Sequence, residues 1–143
     1  MFAPSQEQVR RFFCDAWSKH KAGTPLTPLE AQAVDWIALH PEYHADLSDV
    51  ESAVARQYSV EGGQVNPFLH LSMHLSITEQ VSIDQPRGIK AAVDKLVQRR
   101  ASLHDAHHEV MEALGEMVWE SQRSGKPFDG QTYIDRVMMR ATR

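Results

Sequence analysis

The feature that most constrains this chain is its punctuation. Again and again a capping side chain precedes an apolar run of helical period, and a glycine or proline ends the run. Ser5 with Gln8 makes a capping box ahead of Val9, Phe12, Phe13, Ala16 and Trp17, which recur at helical spacing until Gly23. Thr27 followed by Pro28 and Glu30 opens a second run carrying Leu29, Ala33, Trp36 and Ile37. Pro41 pushes His40 out of the helical region, so this helix is expected to end near HPEYH. Ser48, boxed by Glu51, is expected to start a short third helix that ends before SVEGGQV, read as a flexible loop.

The same signals continue through the second half. Asn66 and Pro67 open a fourth helix, SIDQPRG breaks it, and Ile89, Val93, Leu96 and Val97 form a fifth. Ser102 caps the longest, which runs to Gly125, and a last helix carries Tyr133, Ile134, Val137 and Met138. No stretch alternates with period two over strand length. The reading is an all-α, single-domain helical bundle of six to seven helices spanning residues 1–143.

At 143 residues the chain is long enough to bury a core without staples. Fifteen basic against nineteen acidic residues give a net charge of −4, which argues against nucleic acid as a partner. The basic RVMMRATR at the end reads as a solvated face that complements a helix dipole. Cys14 is the single cysteine, so an intrachain disulfide and a thiolate metal cluster are both excluded, and its setting in FFCDAW predicts a buried structural thiol. With no signal peptide pattern and no long apolar run, the expected place is the cytoplasm, away from membranes.

Chemistry concentrates in the histidines. His70 and His74 lie four residues apart in NPFLHLSMHLSI, opposite a polar sector of Ser72, Ser76 and Glu79, so both rings are expected to point inward. The sixth helix repeats the spacing with His104 and His108, and Glu112 follows one step later. Its core stripe is expected to hold His107, Val110, Met111, Leu114 and Val118, with Asp105, Glu109, Glu116 and Glu120 in water. Gly115 suggests close approach by a neighbouring helix. Imidazoles one turn apart on two helices can converge on a transition metal, zinc, iron or manganese. In this reading His70, His74, His104 and His108 are ligands, and Glu112 is a fifth ligand or the general base of a metal-dependent hydrolase acting on a small molecule.

The alternative is a non-catalytic interaction module or homodimer, with Trp17, Trp36 and Trp119 as core or interface anchors and the histidines as hydrogen-bonding core residues. His40 and His44 are read as partial positive charges at the end of the second helix rather than ligands. No Glu-x-x-His pattern occurs, HEVME ends in Glu where a zincin helix needs His, and the single His104-Asp105 pair is a weak match to HD phosphohydrolases.

MFAPSQEQVRRFF, LTPLEAQAVDWIALHPEYH, NPFLHLSMHLSI, SIDQPRGI and HEVMEALGEMVWESQRSGKPFD occur in that order over nearly the whole chain. Together they resemble the proteobacterial domain-of-unknown-function family numbered 1841. The resemblance implies a small, bacterial, cytosolic helical protein and brings no substrate, cofactor or catalytic residue with it.

Overall fold

A computed structural model describes residues 5–58 and 66–142. Among these residues there are seven α-helices and no strand: α1 (Gln6–Ala22), α2 (Pro28–Ala38), α3 (Val50–Ala55), α4 (Pro67–Ile83), α5 (Ile89–Arg100), α6 (Leu103–Ser124) and α7 (Gly130–Ala141), with a 3-10 turn at Pro41–Tyr43. The expected loop at residues 59–65 lies outside the described residues. No helix among them is long and apolar enough to cross a membrane.

Local chemistry accounts for most helix ends. Ser5 and Thr27 each close a full capping box, with Gln8 and Glu30 returning the bond to the cap's own N–H. Asn66 Oδ1 accepts from the N–H groups of Phe68 and Leu69 at the start of α4. Gly23 and Gly125 end α1 and α6 at φ +73° and +71°, a left-handed turn that glycine adopts without a Cβ penalty. One cap differs from expectation. Asp49, not Ser48, starts α3, because its carboxylate reaches the N–H groups of both Glu51 and Ser52, while the Ser48 hydroxyl donates to the Ala45 carbonyl. A charged acceptor also suits a helix N-terminus better than a hydroxyl.

Contacts divide the chain into two compact units, Met1–Leu75 and Ser76–Arg143, with the boundary inside α4. In the first unit α1 packs on both α2 and α3. Its core gathers Phe13, Cys14, Ala16 and Trp17 from α1, Ala33, Val34, Trp36 and Ile37 from α2, and Leu47, Ala53, Phe68 and Leu71. Arg10 is buried among them, its Nη1 donating to the carbonyls of Ala53 at 2.8 Å and Arg56 at 2.6 Å. That guanidinium supplies donors where α3 leaves its last carbonyls unbonded, and it lies against the rings of Tyr58 and Phe68.

In the second unit α5, α6 and α7 pack pairwise. Tyr133 is fully buried and its hydroxyl donates to Gln80 at 2.7 Å. Arg100 forks onto both carboxylate oxygens of Glu109 and donates to the Arg140 carbonyl. Arg136 and Arg140 of α7 bridge Glu112, Glu116 and Glu120 of α6, so two arginines of the basic C-terminal run are paired with acids of their own unit.

The buried sector of α6 is turned from the expected one. Ala106, His107, Val110, Met111, Ala113 and Met117 are buried, whereas Val118 is 42 % exposed. Residues 106, 110, 113 and 117 are a regular helical stripe, and its small alanines carry too little apolar weight to mark it in the sequence. Gly115 does not mark a close approach: a Cβ placed there would meet nothing within 4 Å.

Candidate metal centre

His40 occupies the point where α2 stops. Pro41 keeps it at φ −127°, ψ 65°, which turns its ring back over the last helical turn, where Nδ1 lies 2.7 Å from the Trp36 carbonyl. A carbonyl can only accept, so Nδ1 carries the hydrogen, and in the neutral ring Nε2 is then the acceptor nitrogen. This is the arrangement that fixes the tautomer and orientation of metal-binding histidines. The side chain is 1 % exposed.

α4 brings the pair from NPFLHLSMHLSI to the same place. His74 is fully buried, stacked on the Trp36 indole with centroids 4.0 Å apart and planes 14° from parallel. His70 is half-buried, and its Nε2 lies 3.1 Å from His40 Nε2. Each of the three rings lies within 4.9 Å of the other two, centroid to centroid. Both α4 histidines thus face inward as their helical phase predicts, while Ser76 and Glu79 are exposed.

His40 was expected to serve only as a helix-end charge, yet it completes this group. The sequence signal is its place one turn beyond Trp36 and immediately before a proline. His44 donates from Nε2 to the Ile37 carbonyl at 2.9 Å, and its ring packs on Trp17.

In the second unit, His104 and His108 stand one turn apart on α6 with ring centroids 4.3 Å apart, both half-buried. His107, between them in sequence, is buried on a different side of the helix. Burial first, then the neighbouring His108 and His104, pulls its pKa down to about 4, so it is neutral at pH 7. Glu112 is on the exposed side, its carboxylate held by Arg140 at 2.9 Å with 65 % of the side chain in water. Asp105 is exposed as well.

Cys14 is buried, and burial raises its thiol to about 11, which fits a structural role. Of the tryptophans, Trp17 and Trp36 are in the core, but Trp119 is 58 % exposed beneath the Arg123 guanidinium.

His40 and His74 in the first unit, and His104 and His108 in the second, each offer one ring nitrogen as a potential metal donor. No curated protein and no solved structure matches the chain. The family model described as a domain of unknown function, DUF1841, matches residues 5–139, nearly the whole chain, which therefore belongs to that family.

Proposed function

We propose that the protein binds one divalent transition metal through histidines of the first unit, with His40 and His74 as ligands. The reading is carried by the histidine group of the first unit, where the rings of His40, His70 and His74 lie within 4.9 Å of one another. Two further features support it. The His40 tautomer is already fixed by the Trp36 carbonyl, which leaves Nε2 as the donor atom. His74 is held in one orientation by the Trp36 indole. Relative to the sequence expectation, His40 stands in for His70, and Glu112 is left to Arg140.

Neutral nitrogen donors without thiolate or carboxylate suit zinc or iron(II) better than manganese, which favours oxygen. With a coordination position left for water, such an ion lowers the pKa of that water and polarises a carbonyl or phosphoryl oxygen. Metal-assisted hydrolysis of a small molecule is the reaction class we assign on that basis.

Elemental analysis of untagged protein purified without chelators tests the proposal. Stoichiometric zinc or iron that disappears in a His40→Ala, His74→Ala double variant is the expected result. Protein that is metal-free and takes up no added zinc or iron sinks it. A second reading, self-association, is favoured by the exposure of Trp119 and Val118 on α6. A concentration-dependent mass in light scattering that Trp119→Ser abolishes would support it.

A further inference from the structure

The facing ring nitrogens of His40 and His70 have a consequence for how the site loads. With the Nδ1 hydrogen of His40 given to the Trp36 carbonyl, the 3.1 Å between the two Nε2 atoms has room for one hydrogen. Were neither nitrogen protonated, two lone pairs would face each other. Were the hydrogen on His40, its ring would be an imidazolium at 1 % exposure, and burying that charge is costly. The half-buried His70 bears it at lower cost, as a neutral ring protonated at Nε2.

We propose that His70 is a built-in competitor for the metal: its Nε2–H occupies the His40 Nε2 lone pair, and an ion must displace that hydrogen bond to bind. His70 is in this view a positioning residue. It keeps the His40 ring aimed while no ion is bound, and it moves aside or changes tautomer when one arrives. The consequence for loading rests on the metal reading above; the hydrogen bond does not.

Two measurements on the full chain separate the two. In metal-free wild-type protein, nitrogen NMR of the imidazoles should show His40 protonated at Nδ1 and His70 at Nε2, with a coupling across the His70–His40 hydrogen bond. His70 found protonated at Nδ1 alone overturns the proposal whether or not a metal ever binds. In calorimetric titration with zinc, His70→Ala should bind about two- to ten-fold more tightly than wild type, the worth of one net hydrogen bond. His70→Gln, whose side-chain amide can replace the Nε2–H donor, should return toward wild-type affinity. Affinity unchanged in the alanine variant overturns the competition, and a loss of ten-fold or more in both variants makes His70 a ligand instead. Wild-type protein that takes up no zinc defeats the metal reading, and the NMR result still decides the hydrogen bond.

Discussion

The Trp36 indole and the His74 imidazole lie face to face at 4.0 Å, while the carbonyl of the same tryptophan accepts from His40. One residue of α2 thus orients two histidines, one through its side chain and one through its backbone. Replacing Trp36 by Phe keeps the carbonyl and shortens the stack, so metal affinity should fall modestly. Trp36→Ala opens a cavity in the core and should cost about 3 to 5 kcal/mol in urea unfolding. Cobalt(II) or copper(II) added to wild type should quench tryptophan emission, and Trp36→Phe should lose most of that quenching although Trp17 and Trp119 remain. Equal quenching in both proteins would place the ion elsewhere.

Arg10 and Arg136 both make several polar contacts, but their surroundings rank them. Arg10 is buried and bonded to carbonyls at the end of α3, so Arg10→Ala strands those acceptors and should cost about 2 to 3 kcal/mol. Arg136 pairs with the half-exposed Glu116 and Glu120, where water and salt screen the attraction, and Arg136→Ala should cost under about 1 kcal/mol. Chemical denaturation of the two variants side by side checks the order.

Two glycines should respond to alanine in opposite directions. Gly115 is mid-helix with open space around it, so Gly115→Ala should stabilise by up to about 1 kcal/mol. At Gly130 an added Cβ would sit 2.8 Å from the Pro86 ring, and Gly130→Ala should lower the melting temperature. A stabilised Gly130→Ala would mean the turn before α5 gives way readily.

Cys14 supplies a pH test. Its thiol is raised in the folded chain from 9.0 to about 11, chiefly by burial. Folded protein therefore holds the proton more tightly than unfolded protein. The contribution is fully present below pH 9 and is lost as the pH rises toward 11. Unfolding free energy should decline over that window in wild type and less so in Cys14→Ala. Aromatic disulfide reagents at pH 8 should label the thiol only at the rate of unfolding.

The helices were legible because their ends are local events. A hydroxyl or amide reaching an N–H two or three residues ahead, as at Ser5, Thr27 and Asn66, needs nothing from the rest of the chain. The same holds for the inward phase of His70 and His74, which the 3.6-residue period sets on its own. Where two local signals compete, the nearer acceptor decides, as with Asp49 over Ser48.

Only tertiary structure decided which histidines meet and which sector of α6 is covered. His40 joins His70 and His74 because the chain folds α2 against α4's first turns, a contact thirty residues apart in sequence that no periodicity encodes. Glu112 has the right spacing from His108, yet an arginine on α7 claims it, and that arginine is visible only once α6 and α7 pack. Amino-acid order sets which face a side chain takes on its own helix. What stands opposite that face depends on long-range packing, and the chemistry of a site lies in that pairing.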